Sequence, residues 1–505
     1  MSRAAKLVFV PIFLLQVGFF LYIALHRLVD GDEGFYLLAS RLVLQHRTPY
    51  LDFFYTQAPL LPYVYGLWLK LFGISWVSAR IFAAWLTAAV CALLYWHVCR
   101  ETGKWMAGLA AVFLFATSSL VVAWYPIVKT FAPAALFLFA AYMILLRVSP
   151  QTPKWLIVAA GVLVGLSVDT RSYVVAVVPV LLWWIVRRTR PAAMVALAFF
   201  SVGFLVGIIP SLALFAASPD RFWFNNLGYH AMRSRHGLVG DWRNKALIAL
   251  GVFGGAHTGF QFSVLTSATI GIAVILRKVR ESTLLAFAIA VTIGLVSLLP
   301  TPSSIQYFSM AMPFLIVATV SSVNDYLVSL STPRVARNAG LAFVVGLLAF
   351  AGFGVPTSRQ FLVTGYKVPG ITSPADAPNW TLGKVTAVSQ AIDQLASPGE
   401  EVVSYWPGYI FASRADPYPG FENDFGMYVA RQLTPEKREE YHVLTAGEMV
   451  EAFAHHGPKI AVIGNQGPIS GGLSHSVAEG MVDTYGYSLV SKVGDTAIYK
   501  CCSPP

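Results

Sequence analysis

Residues 30–73 read DGDEGFYLLASRLVLQHRTPYLDFFYTQAPLLPYVYGLWLKLFG. The stretch opens with three carboxylates, Asp30, Asp32 and Glu33, directly after an apolar run over 7–25. Two helical repeats follow: Phe35, Leu38 and Leu42, then, after Pro59, Leu60, Leu61, Val64, Leu67 and Leu71. Such spacing predicts two amphipathic helices lying along a membrane surface. They would roof a cavity open to lipid, which suits a substrate with one greasy and one polar end; two packed connector helices would leave the same pattern. The carboxylates are not equivalent. Asp30 is placed to cap a helix beginning at Gly31, and Glu33, three positions on, completes a capping box. Asp32 is left without a local task, at a helix N-terminus that favours its ionised form. An ionised carboxylate beside lipid is a candidate general base.

Outward from this stretch the chain is greasy. Of 505 residues 56% are hydrophobic and 12% charged, where soluble domains carry roughly 25% charged residues, and the mean hydropathy is +0.63. This is the composition of a polytopic α-helical membrane protein. Apolar length predicts about eleven spans, near 7–25, 76–98, 105–123, 131–146, 155–168, 172–186, 192–217, 246–276, 283–300, 308–330 and 338–356. The text then changes to Pro, Gly and charged residues with short apolar runs. We therefore expect a transmembrane module over 1–356, containing a long first external loop at 26–75, and a small extracytoplasmic α/β domain over 357–505. Its expected elements are a helix near 380–396 and strands at 401–405, 459–463, 486–490 and "TAIYK".

With a cytoplasmic N-terminus, every inside segment is basic: Arg3 and Lys6; Arg100 and Lys104; Arg147 and Lys154; Arg187, Arg188 and Arg190; Arg277, Lys278 and Arg280; Arg334 and Arg337. That distribution requires 155–186 to be a hairpin interrupted at Asp169–Arg171, since a single span would invert every later loop. The net charge of +11 thus reports orientation in a cell (inner) membrane rather than a nucleic-acid partner. The first apolar run is as long as a full span and lacks an A-x-A site, so it reads as a retained anchor. Cys91 and Cys99 in an apolar helix, and the vicinal Cys501 and Cys502, give no metal or disulfide pattern. His230, His236 and His257 lack metal-ligand spacing.

The order of residues in 30–73, placed between the first and second spans, resembles the first periplasmic loop of the GT-C glycosyltransferases. It is most similar to that of the protein O-mannosyltransferases and aminoarabinose lipid A transferases. The resemblance rests on an Asp-Glu pair, a Tyr, a "PY.D" turn and a Pro-containing segment, here Asp32, Glu33, Tyr36, Pro49, Tyr50, Asp52 and Pro59. "GVLVGLSVDTRSYVVAVVPVLL", with Arg171, resembles the Gly-rich helix of that group, and "SIQYFSMAMPFLIV", with Tyr307, its late aromatic span. Two departures stand out. Gln57-Ala58-Pro59 replaces the usual cation before Pro-Pro, and Lys129 occupies a stretch where relatives often carry Asp.

The resemblance implies transfer of a sugar from a polyprenyl-phosphate donor to an envelope acceptor, which could be lipid, glycan or protein, at the external face of the bilayer. Asp32 would be the base, with Glu33 as its alternate. Lys129, Arg171, Arg233 and Arg235 are the external cations suited to the donor phosphate, and the guanidinium fork puts Arg171 first. Arg171 pairing with Asp169 or reaching headgroups explains it equally well. Tyr36, Asp52, Tyr55, Gln57 and Tyr307 are candidates to bind substrate, though aromatic packing alone would account for the tyrosines. No obligatory cofactor or protein-held metal is expected; a divalent cation between the acidic pair and the phosphate is compatible with the chemistry. The C-terminal "YWPGYIFASRADPYPG" fits either acceptor recognition or a stabilising lid. A flippase for a lipid-linked saccharide would call for mid-membrane charges and internal repeats, and a non-catalytic envelope scaffold would give no reason for a roofed acidic loop.

Overall fold

The computed structural model describes residues 3–233, 237–254, 258–366, 368, 370–464, 480 and 482–501. Arg235, His236 and His257 lie outside the described residues. Among the described residues five helices are long and apolar enough to cross a membrane: Ala5–His26, Trp76–Thr102, Ser172–Thr189, Ile305–Ser329 and Pro333–Thr364. Ala193–Gly207 and Ile209–Ala217 form a further pair bent by 63°. Shorter apolar helices cover Leu60–Phe72, Trp105–Thr117, Phe131–Leu145, Phe260–Leu276 and Glu281–Val296. The protein is a multi-pass membrane protein.

Besides the bent run 192–217, two further expected spans are broken. The run 246–276 is two helices, Gly237–Phe253 and Phe260–Leu276. The run 105–123 stops at Ser118, whose backbone is extended, and resumes as Ser119–Trp124. Apolar length alone cannot register such a break, because its compensation comes from a distant side chain. Gln261 Oε1 accepts from Ser119 N at 2.7 Å and Ser119 Oγ at 2.9 Å, while its amide donates to Phe350 O at 3.0 Å. Backbone groups released inside a bilayer are tolerated only when re-satisfied in this way.

The chain divides into two compact units. The first comprises residues 1–24, 83–209 and 235–359. In it, Lys154–Thr170 packs against Ala193–Gly207 through facing small-xxx-small pairs, Gly161 with Gly165 and Gly203 with Gly207. A Cβ on Gly161 would stand 2.2 Å from Phe200 O, and one on Gly203 2.1 Å from Val158 O. Only glycine permits this approach, and in lipid such backbone contact supplies much of the association.

The ends of this unit differ. At one, Trp184 Nε1 donates to Leu145 O at 2.9 Å and the Tyr142 hydroxyl to Ser282 O at 3.0 Å. Arg187 and Arg188 pair with Glu281 at 2.9 and 2.7 Å, and Arg280 bonds Asp325 at 2.7 Å and Glu101 O at 2.6 Å. The basic loops therefore gather together, as the hairpin reading of 155–186 requires. Thr130, at the other end of Phe131–Leu145, is about 22 Å away along the helix axis, and there Arg171 meets it.

The second unit comprises residues 25–82, 210–234 and 360–505. Its five-stranded sheet has the order β2-β1-β3-β5-β4, from β1 (Glu401–Ser404), β2 (Asp416–Pro417), β3 (Ile460–Ile463), β4 (Ser488–Val493) and β5 (Thr496–Lys500). β1 is parallel to β2 and β3; β5 is antiparallel to β3 and β4. The expected helix is Leu382–Leu395, capped by Thr381 and burying Leu382, Val385, Val388 and Ile392 at helical spacing. Strand β2 was beyond sequence reading because two residues carry no periodicity.

The loop helices Gly31–Leu44 and Leu60–Phe72 are both present. Leu60–Phe72 is two-sided: Leu61, Tyr65 and Leu69 are buried, whereas Tyr63, Leu67 and Leu71 are exposed, an apolar stripe fit for lipid. Gly31–Leu44 differs from expectation. From Glu33 to Leu42 it is buried on every side, because elements of the C-terminal sequence cover the face assigned to the membrane surface.

Candidate active site

Within the second unit the helix Gly31–Leu44 starts as its sequence dictates. Asp30 Oδ1 accepts from Asp32 N at 3.1 Å, and Glu33 Oε1 accepts from Asp30 N at 2.8 Å, completing the capping box. Arg80 then grips Glu33 with two bonds of 2.6 Å, and Arg27 Nη2 lies 3.3 Å from Asp30. All four side chains of this network are fully buried. Burial lowers the Arg27 pKa to about 10, with Asp30 and Glu33 opposing the fall, so the guanidinium is charged at neutral pH. Asp32 lies on the same turn and is partly exposed. Both Glu33 oxygens are engaged.

Tyr36 is four residues beyond Asp32, on the same helix face. Its ring meets Tyr55 edge-on at 6.4 Å, and Tyr55 lies 6.4 Å from Tyr50. The Tyr55 hydroxyl is buried and, among the described residues, has no hydrogen-bond partner. Burial, with Tyr36 and Tyr50 beside it, raises its pKa well above that of a free phenol. Tyr50, at a φ of 69°, donates to Gln57 O at 2.5 Å. Asp52 is exposed and closes a turn, accepting from Thr48 N at 2.6 Å. Residues outside the loop hold this segment. Asn225 Oδ1 accepts from Tyr55 N at 2.9 Å, Arg221 donates to Leu51 O at 2.7 Å, and His230 bonds Thr56 O at 3.0 Å. Arg233 is stacked 5.9 Å from the Tyr229 ring centroid.

The first unit brings three other candidates together, at the end away from the basic loops. Arg171 follows the last turn of Lys154–Thr170. Its Nη1 donates to Thr130 Oγ1 at 2.5 Å, and its guanidinium lies 4.3, 4.6 and 5.0 Å from the ring centroids of Phe131, Tyr173 and Tyr307. Lys129 Nζ donates to Gln306 Oε1 at 2.7 Å. Both cations are buried, so Lys129, Arg171 and Tyr307 share one polar-aromatic nest.

Sequence reading missed Arg80, Thr130, Tyr173, Asn225 and Gln306. A signal existed for Arg80: a lone arginine at the start of an apolar span requires a partner. For Asn225 there was none. Among the described residues no group of three or more His, Cys, Asp or Glu side chains could hold a metal ion.

Residues 56–215 match the profile of the dolichyl-phosphate-mannose-protein mannosyltransferase family. Over its whole length the chain superposes on ArnT from Cupriavidus metallidurans bound to undecaprenyl phosphate, with a TM-score of 0.67 at 14% identity and 99% of that chain covered. For the apo state of the same enzyme the TM-score is 0.63, also at 14% identity, with 99% of this chain and 98% of that one covered. The arabinofuranosyltransferase AftD from Mycobacteria, as a mutant form, matches all of this chain over 42% of its own length, with a TM-score of 0.52 and 14% identity. No curated protein sequence matches this one. The fold is that of the GT-C membrane glycosyltransferases. Within that class the architecture is ArnT-like, from the first span through the C-terminal sheet.

Proposed function

We propose that the protein transfers a sugar from a polyprenyl-phosphate carrier to an envelope acceptor at the external face of the membrane, by a single inverting displacement with Asp32 as general base. The observation that carries the reading is the division of labour at the helix start. Asp30 and Glu33 are buried in ion pairs and caps, while Asp32, between them, is a partly exposed residue. The undecaprenyl phosphate bound to the ArnT relative supports a lipid-phosphate donor. The positive-inside rule puts the basic end of the first unit in the cytoplasm, and hence the Lys129 and Arg171 nest outside.

In this reaction the acceptor hydroxyl gives its proton to the Asp32 carboxylate as its oxygen attacks the anomeric carbon. The bond from that carbon to the phosphate oxygen breaks, and the electron pair leaves with the polyprenyl phosphate. Arg171 and Lys129 are our choice to stabilise the charge that develops there, with Arg233 and Arg235 as further candidates. Tyr36, Tyr55 and Tyr307 are suited to the sugar, and the buried Tyr55 hydroxyl is available to bond a sugar oxygen. Asp52 and Gln57 would act on substrate only through the turn they close. We assign no cofactor; a divalent ion bridging Asp32 and the phosphate is consistent with this chemistry.

The test is incubation of the purified protein with radiolabelled polyprenyl-phosphate sugars and envelope lipids. Wild type should label an acceptor and Asp32→Asn should not. Translocation of the labelled lipid without transfer would favour a flippase instead.

A further inference from the structure

Trp406 begins the aromatic turn after β1, 374 positions from Asp32 in the sequence and in the same compact unit. Its indole Nε1 donates to Gly31 O at 2.8 Å. The Gly31 carbonyl and the Asp32 N–H belong to one peptide plane, which is rigid. The N–H end of that plane is held by Asp30 Oδ1 at 3.1 Å, so Trp406 fixes the remaining end.

The approach is built into the sequence. A Cβ on Gly34 would lie 2.7 Å from Trp406 Nε1 and 2.7 Å from Gly408 N. The indole is wedged between other rings, with Trp76 stacked at 5.6 Å, Trp380 at 5.0 Å and Tyr409 at 4.8 Å. Further along the same helix, Arg41 donates to Ile410 O and Ser413 O, each at 2.7 Å, and pairs with Asp416 at 2.7 Å. The same turn of the C-terminal sequence is thus clamped at two heights of the helix that carries Asp32. The second clamp supports the helix; only the first touches the peptide preceding Asp32.

We propose that Trp406 is a positioning residue for transfer: its indole N–H sets the Gly31–Asp32 peptide plane and thereby the direction of the Asp32 carboxylate. This rests on Asp32 being the base. It gives the C-terminal α/β sequence a part in the reaction beyond covering the loop, and it makes glycine at 34 a condition of activity. A base rotated from its line to the acceptor hydroxyl loses rate with little loss of substrate affinity.

The experiment uses the full chain in detergent or nanodiscs and compares wild type, Trp406→Phe, Gly34→Ala and Asp32→Asn. Phenylalanine keeps an aromatic ring against Trp76 and Trp380 and removes only the donor. Trp406→Phe should lower kcat by about three- to tenfold, the effect of one hydrogen bond, with KM within twofold. Rates are normalised to folded protein by size-exclusion chromatography, and Arg27, Asp30, Glu33 and Arg80, the charged groups flanking the helix start, are unaltered by the change. Gly34→Ala should reproduce the same signature by displacing the indole.

Three results would overturn the proposal. Trp406→Phe with wild-type kcat and KM, while Asp32→Asn is inactive, removes the positioning role and leaves the base. A fall in kcat that vanishes on normalisation to folded protein reports only a smaller folded fraction. Unimpaired transfer by Asp32→Asn removes the base assignment, and the positioning role with it.

Discussion

Charged residues do different work at the start of the loop helix and at the basic end of the first unit. At the helix start, Arg27, Asp30, Glu33 and Arg80 are fully buried and locked by bonds as short as 2.6 Å. At the basic end, Arg187, Arg188 and Glu281 are 47%, 34% and 44% exposed. A buried pair that loses one member leaves an uncompensated charge, costing about 3–5 kcal/mol. An exposed pair is worth about 0–1 kcal/mol. The first arrangement fixes a geometry, and the second does little more than accompany a membrane orientation. Asp32 sits on the rigid side of this contrast, its backbone N–H held by Asp30.

The contrast can be broken most severely at Arg80. Arg80→Ala leaves the Glu33 carboxylate buried without its two guanidinium bonds and should destabilise the protein by about 3–5 kcal/mol, read as a large fall in thermal midpoint and in folded yield. Gly203→Val comes next. Its side chain would have to displace Val158 O, 2.1 Å from the Cβ position, so we expect loss of about 1–3 kcal/mol from overpacking and a lower thermal midpoint in detergent. Arg187→Ala should shift stability by less than about 1 kcal/mol, and transfer by wild-type-like amounts would confirm that this end is remote from the chemistry.

The smallest effect concerns Glu422. It is buried, paired with Arg47 at 2.6 Å, and burial raises its pKa despite the arginine. The folded state therefore holds this proton more tightly than the unfolded state. Stability should fall as pH rises from the ordinary carboxylate range through the elevated folded value. Glu422→Gln should flatten that slope in thermal melts taken across the acid range.

Much of this was legible in the sequence, for physical reasons that can be named. The capping box could be read because its partners are three residues apart. The strands β1, β3 and β5 could be read because buried strands are continuous apolar runs. The hairpin at 155–186 followed from the distribution of basic loops. What escaped reading depended on distant partners. Ser118 breaks a span because Gln261 takes up the released groups, and Gly31–Leu44 is buried all round because the C-terminal sequence covers it. Asp32, Lys129, Arg171 and Tyr307 were singled out from local pattern and resemblance, whereas Asn225 and Trp406 act on residues 170 and 375 positions away. No periodicity in a single sequence encodes those pairings.

The assignment of Asp32 alone of the three carboxylates to the chemistry is tested most directly by single-turnover transfer from a radiolabelled polyprenyl-phosphate sugar, with Asp32→Asn compared with wild type at matched folded protein. Donor should still bind, and transfer should fall by at least about a hundredfold, the usual contribution of a positioned base. Transfer at the wild-type rate by Asp32→Asn would contradict it.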